Sequence, residues 1–399
     1  MKLPQHKADV IVAGHICLDI IPDLGQTSLA AITVPGSLIN VGAAVLSTGG
    51  TVANSGLALH RLGESVKLMG KVGDDPIGRL IQEALARAGS PEMAGGMIVS
   101  TGEPSSYSVV ISPRGSDRIF LHCPGTNDTF RADDVSEAEL AGARLFHFGY
   151  PPLMKAMYEN DGRELEKLLA KAKAQGLTVS LDMSRPDPDS AAGRVDWRSL
   201  LRRILPYVDL YVPSWEETVY MLRDQSYGTA ADADSAALSG EALAELAGTL
   251  LDMGAAFVGL KIGEEGLYVR TTSDADRLAR LGASGPADAS EWLSRELLAP
   301  CFVTEAVGTT GAGDSTIAGL LCGVLRRLPL EQALTAAVAV GACSVEAVDA
   351  TSGILPWPQV VRRIEAGWPR RSPSLPLDGW HSDNGELWIG PNDRRRAIV

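Results

Sequence analysis

The residues best suited to chemistry lie in Gly308-Thr309-Thr310-Gly311-Ala312-Gly313-Asp314-Ser315, which runs into an uncharged small-residue stretch ending at Leu325. Glycines open backbone angles closed to other residues and let an anion approach the main chain. A helix beginning there points its free first-turn N–H groups and positive dipole end into the turn. Such a terminus contributes about 0.3–2 kcal/mol toward a bound charge. Asp314 falls in the same turn. A carboxylate beside bound phosphate is unfavourable unless it acts, and general base is the action that fits: it would take the proton from an attacking hydroxyl during phosphoryl transfer. Asp is also a favoured N-cap residue, so Asp314 alone supports either role.

A second glycine pair opens a helix at Gly49-Gly50-Thr51-Val52-Ala53-Asn54, continuing through Gly56 to Gly63. Asp19 follows the first apolar run, in Gly14-His15-Ile16-Cys17-Leu18-Asp19.

The elements that must position these groups alternate. Short Val/Ile/Leu-rich runs predict strands at Val10–Ala13, Val66–Gly70, Leu145–Gly149, Thr178–Asp182, Leu210–Val212 and Phe257–Ile262. Between them, helices are predicted at Ala53–Leu62, Gly78–Ala88, Gly162–Gln175 and Gly240–Met253. Leu165, Leu168, Leu169 and Ala172 form one helical stripe, and Gly176 terminates it. The alternation predicts a three-layer α/β/α fold with a mostly parallel central sheet.

Two regions, about 18–48 and 101–123, carry β patterns without crossover helices. Tyr107–Ile111 and Arg118–Leu121 flank the turn-rich Ser112-Pro113-Arg114-Gly115-Ser116. They predict a small antiparallel β-sheet that serves as a lid or as an ordinary edge hairpin. Ser273–Pro300 is polar and rich in Gly, Ala and Ser, which predicts an insertion. The body therefore spans 1–367. Residues 368–399 form a C-terminal extension with prolines, an Arg394-Arg395-Arg396 run, and Trp380 and Trp388, which predict packing on the body.

The 399 residues carry 36 Lys+Arg against 49 Asp+Glu, a formal charge of −13. That balance disfavours nucleic-acid backbones and anionic lipid. No apolar run approaches the roughly 20 residues that span a bilayer, and the polar start, Met1 to Asp9, does not resemble a signal peptide. The 5 cysteines (Cys17, Cys123, Cys301, Cys322, Cys343) are scattered, which predicts buried thiols in a reducing cytoplasm.

With Gly70-Lys71-Val72-Gly73-Asp74-Asp75-Pro76-Ile77-Gly78, Pro124-Gly125-Thr126-Asn127 and Lys261-Ile262-Gly263-Glu264-Glu265-Gly266, the ordered set resembles the ribokinase-like (PfkB) family of carbohydrate kinases from about Val10 to Pro358. The resemblance implies transfer of the γ-phosphoryl of ATP to a hydroxyl of a sugar, nucleoside or related polyol. It implies Asp314 as catalytic base, with Gly311, Ala312 and Gly313 as the anion hole. Asp19, Gly49, Gly50 and Asn54 would hold substrate hydroxyls; a carboxylate and an amide suit a polyol because each can bond vicinal hydroxyls. A turn Asp and a cap Asn are the plainer readings. Lys261, Gly263, Thr310 and Ala339 would meet the nucleotide, with Ala339 beside Val338 on the adenine wall. Glu217 would organise Mg2+ and its waters, although acids at a helix start are favoured anyway.

The sequence departs from the family at three points. Ser214 replaces the Asn of the Asn-x-x-Glu element, which loosens the water network around the metal. Ser184 replaces Asn in Asp182-Met183-Ser184. Gly308 replaces an Asp that helps relatives bind a monovalent cation, so potassium activation is not expected. Arg114 and Arg118 either meet an acidic substrate or face water, and water is preferred. Val109, Ile111, Ile119 and Leu121 would support a homodimer through the lid. The second hypothesis is a sugar- or nucleoside-binding sensor with impaired catalysis. A dinucleotide oxidoreductase is disfavoured because no Gly-x-Gly-x-x-Gly follows the first strand.

Overall fold

Val10–Gly14 is buried throughout, and its side chains alternate between two hydrophobic cores. Val10 and Val12 pack with Leu57, Ile317, Leu320 and Val340, whereas Ile11 and Ala13 pack with Phe146, Leu165, Leu168 and Val179. A strand with apolar side chains on both faces must be covered on both faces. The computed structural model, which describes residues 8–115, 118–222 and 237–395, shows that arrangement. The first seven residues, Ser116 of the turn-rich segment and Arg396 of the basic run lie outside the described residues.

Among the described residues the central sheet has 9 strands. From edge to edge they are Trp388–Ile389, Glu296–Ala299, Leu267–Thr271, Phe257–Lys261, Leu210–Tyr211, Thr178–Asp182, Leu145–Gly149, Val10–Gly14 and Val66–Met69. Pairing is parallel from Val66–Met69 to Phe257–Lys261 and antiparallel thereafter. The chain is therefore a three-layer α/β/α fold with a mostly parallel sheet, as the alternation predicts. The predicted helices appear as Thr51–Arg61, Pro76–Ala88, Arg163–Ala174 and Gly240–Asp252. The second starts earlier than periodicity indicated because Asp75 caps it, accepting from Gly78 N–H, and Pro76 takes the first helical position.

A separate sheet is ordered Val45–Gly49, Cys17–Ile21, Tyr107–Ile111, Ile119–Cys123. It is not wholly antiparallel: Cys17–Ile21 and Tyr107–Ile111 run parallel, because they come from distant parts of the chain rather than one hairpin. It exposes Val45 and Phe120 on one face and Leu46 and Leu121 on the other.

The stretch Ser273–Pro300 is not simply an insertion. Glu296–Ala299 is a fully buried strand of the central sheet, between Leu267–Thr271 and Trp388–Ile389. Charged residues disguised it. Arg295 is 1% exposed and bonds Asp393 at 2.9 Å. Glu296 accepts from the Tyr268 hydroxyl at 2.8 Å and from Asn392. Buried charges persist only when partnered in this way.

Candidate active site

The Ala312–Leu325 helix begins where Gly311 adopts φ 72, in the left-handed region. A Cβ there would lie 2.4 Å from the Ala350 Cβ, so glycine is required twice over, by angle and by space. Asp314 follows in the first turn and is 2% exposed. Its Oδ2 accepts from Asn54 Nδ2 at 3.0 Å and from the Tyr150 hydroxyl at 2.7 Å, and its Oδ1 accepts from Ser55 Oγ at 3.1 Å. These three donors fix the orientation of the carboxylate, and two of them sit on the helix opened by Gly49-Gly50. Asn54 therefore has one amide proton on Asp314, which sequence reasoning did not anticipate.

Asp314 lines a cavity of about 290 Å3 with Gly311, Ala312, Gly313, Lys261, Gly263, Glu217 and Asp182. Lys261, at the end of a central strand, pairs with Asp182 at 2.6 Å. Its Nζ lies 3.6 Å from where a Gly313 Cβ would sit, so the ammonium approaches the glycine turn. Burial works against the Lys261 charge, but Asp182 and Glu217 raise its pKa above the ordinary value. Burial raises Asp182 to about 8 against the pull of Lys261, helped by Glu217 and Asp314. Burial likewise raises Glu217, whose carboxylate accepts from the Ser214 N–H at 2.7 Å.

Three carboxylates thus share one lysine in a desolvated cavity. Asp182 Oδ2 is buried at the cavity wall without a hydrogen-bond partner among the described residues, and so is Ser184 Oγ, two residues on and outside the cavity lining. That charge surplus and the orphaned Asp182 oxygen fit a hydrated divalent cation, which keeps most of its waters and needs few protein ligands. Among the described residues no cluster of three or more ligating side chains forms a closed metal cage.

The hydroxyl-reading candidates gather beside this cavity. An added Gly49 Cβ would lie 2.4 Å from Asp19 Oδ2, so the carboxylate rests directly on that glycine. Gly50 (φ 89) caps the Thr51–Arg61 helix, and a side chain there would strike the His15 carbonyl and ring. His15 was not singled out from the sequence. It is 3% exposed, both its ring nitrogens lack a hydrogen-bond partner among the described residues, and it faces His122 and Tyr150 at centroid distances of 5.3 and 6.1 Å. Buried polar atoms are normally satisfied, so an orphaned imidazole beside a site calls for an outside partner.

Tyr150 was also missed. It takes φ 65, uncommon for a non-glycine residue, at the end of the Leu145–Gly149 strand. Burial and Asp314 raise its pKa well above the usual value, so it donates as a neutral phenol. Thr310 accepts from Arg118, so that arginine is turned toward the glycine turn rather than only to water. Ala339 lies in the core, fully buried, and is not among the cavity's lining residues. Gly308 packs 2.7 Å from the Ala347 carbonyl by its would-be Cβ, which leaves no room for an aspartate. A larger cavity, about 330 Å3, lies under the C-terminal extension around Trp368 and Arg370, away from Asp314.

Two histidines predict an acid sensitivity of the fold. Burial lowers both His15 and His147 from 6.5 to about 3. His147 sits between Thr51 Oγ1 at 3.2 Å and Ser180 Oγ at 3.0 Å. Below pH 6.5 the unfolded chain binds protons there that the folded chain refuses, so stability falls as pH drops through the window from 6.5 toward 3. Between pH 7 and 5.5 the two sites together cost about 2 kcal/mol. Urea unfolding at the two pH values measures it, and a His147→Asn variant reduces the slope by about one proton.

A parallel α/β sheet with a glycine-opened helix, a buried carboxylate and a neighbouring lysine at one cavity defines a phosphate-handling α/β protein. The match to the pfkB family carbohydrate kinases spans residues 7–358, and the chain belongs to that family. It is 24% identical over 299 residues to an uncharacterized sugar kinase of Archaeoglobus fulgidus, covering 75% of this chain and 98% of that protein. It is 25% identical to a probable fructokinase-4 of Arabidopsis thaliana, covering 80% of this chain and 83% of that protein. In fold it is similar to an Arabidopsis thaliana ribokinase complexed with ribose and ATP, with TM-score 0.68, 17% identity, and 90% and 98% of the two chains covered. It is also similar to a Xylella fastidiosa fructokinase with bound ATP, with TM-score 0.65, 18% identity, and 90% and 99% covered. Among the described residues no helix is long and apolar enough to cross a membrane.

Proposed function

We propose that the protein transfers the γ-phosphoryl group of ATP to a hydroxyl of a sugar or related small polyol, with Asp314 as general base. The observation that carries this is the position of Asp314. It sits in the first turn of a glycine-opened helix, it is held by three donors, and it still lines the cavity that Lys261 enters. The substrate hydroxyl attacks the γ-phosphorus while its proton passes to Asp314; the bond to the bridging β-oxygen breaks and ADP leaves. The N–H groups of Gly311 and Gly313 and the Lys261 ammonium would meet the transferring group, where preorganised positive charge lowers the barrier, and the Ala312 N–H, which donates to Thr309 O at 3.3 Å, would join them only if that bond opened. When bound, Mg2+ neutralises phosphate charge. Glu217 and Asp182 are the residues that would hold it, through water. Asp19, Gly49, Gly50 and Asn54 bracket the polyol, and the orphaned His15 faces it.

An ADP-release assay with ATP, Mg2+ and a panel of pentoses, hexoses, sugar acids and nucleosides tests the proposal. Turnover with a neutral sugar is expected. Ligand-dependent melting shifts without ADP formation would instead indicate a sensor. Replacing His15 with Ala is expected to raise the KM for the sugar about tenfold, as for one lost hydrogen bond, with the KM for ATP unchanged. The exposed apolar side chains of the small sheet, Val45, Leu46, Phe120 and Leu121, support a homodimer formed through the lid. Sedimentation of a Phe120→Glu, Leu121→Glu variant should then show a monomer.

A further inference from the structure

The family match ends at residue 358, and the chain beyond it returns to the Gly263–Glu265 turn that borders the cavity. Residues 369–371 lie against residues 301–303: Val303 N–H donates to Pro369 O, and Arg371 N–H donates to Cys301 O, each at 2.8 Å. Trp368 Nε1 donates to Val303 O at 2.8 Å, and Arg370 donates to Pro300 O at 2.7 Å. A stack clamps this seam. Trp368 and Phe302 lie 4.4 Å apart, with Arg363 3.5 Å over Trp368 and Arg370 3.8 Å over Phe302.

Beyond the seam, the same segment reaches the Gly263–Glu265 turn. Arg371 pairs with Glu264 at 2.6 Å, and Ser374 N–H donates to Glu265 at 2.8 Å, with the Ser374 hydroxyl on the same carboxylate. Gly263 opens this turn at φ 59, nothing lies within 4 Å of its would-be Cβ, and it lines the cavity beside Lys261. Gly266 closes the turn at φ 117. The turn is closed by its own backbone bonds, Ile262 N–H to Gly266 O at 3.0 Å and Glu265 N–H to Ile262 O at 3.2 Å, and Arg371 and Ser374 add side-chain anchors from outside. The turn also places the carboxylates of Glu264 and Glu265 next in sequence to the cavity-lining Gly263, and like charge there would slow and weaken binding of a polyanionic nucleotide.

We propose that residues 368–374 form a strap that sets nucleotide affinity, with Arg371 and Ser374 as positioning residues. They fix the Gly263–Glu265 turn and mask the charges of Glu264 and Glu265. The strap lies outside the family match and touches neither Asp314 nor Asp19. The proposal rests on the proposed function, with ATP meeting Gly263 as the family resemblance implies.

Calorimetric titration of ATP into the full chain tests it without knowledge of the sugar. Arg371→Ala combined with Ser374→Ala is expected to weaken ATP binding about fivefold, with the thermal midpoint unchanged. Arg371→Glu should weaken it further. Adding Glu264→Arg to Arg371→Glu should restore the parent value, a rescue that a merely structural role would not give. ATP affinity that is unmoved in the double variant, or not rescued by the swap, overturns the strap alone. A parent protein that fails to bind ATP overturns both the strap and the proposed function.

Discussion

Replacing Asp314 with Asn is expected to lower turnover by about 10²–10⁴-fold, the range for removing a positioned general base. The substitution preserves size, and the surroundings keep it in place. Asn54, Ser55 and Tyr150 all donate to the two carboxylate oxygens. An amide there offers one acceptor and one donor, so one of those three donors loses its partner, at about 1–3 kcal/mol of stability. The helix N-terminus and Lys261 remain, so ATP affinity should stay within a few-fold of the parent. The measurements are ADP release under saturating ATP and calorimetric ATP affinity on the same preparation. Parent-rate turnover in the variant would remove Asp314 from the reaction. Weakened ATP binding with unaltered chemistry would reassign it to the phosphate site.

The second large effect concerns the fold. Asp393→Ala is expected to destabilise the protein by about 3 kcal/mol, because it removes the buried one of the two carboxylates that pair with the Arg295 guanidinium and leaves Nε unpartnered. Asp393 accepts from Arg295 Nε at 2.9 Å and from the Glu296 N–H at 2.9 Å, and both partners are essentially inaccessible. Glu331, 31% exposed, pairs with the same arginine at 2.8 Å and cannot replace the buried bond. Urea unfolding gives the loss directly. Replacing the pair together, Arg295→Met with Asp393→Leu, should recover much of it, since a buried pair exchanged for apolar groups is often neutral. If Asp393→Ala unfolds at the parent midpoint, the terminal residues are not anchoring the sheet.

The comparison of Arg295 with Leu165 shows which local patterns carry information. Leu165, Leu168, Leu169 and Ala172 repeat at helical spacing, and the structure buries all four on one face, because periodicity depends only on the geometry of a single helix. Glu296–Ala299 has no such period. It is short, apolar on both faces, and flanked by charges whose partners, Asp393 and Asn392, lie about a hundred residues on. Nothing local distinguishes a charge that will find a buried partner from one that will stay in water.

The sequence by itself determined the alternation of strands and helices, the covered parallel sheet, and a glycine turn with Asp314 at a helix start. Each of these rests on spacing within a few residues. Only the tertiary structure decided that Asn54, Ser55 and Tyr150 converge on Asp314, that His15 is left without a hydrogen-bond partner among the described residues, that Ala339 is core, and that residues 371–374 close on the Gly263–Glu265 turn. These are contacts between groups separated by up to 260 positions. They exist because the sheet brings the ends of distant strands to one edge, and no short-range pattern in the chain encodes that meeting.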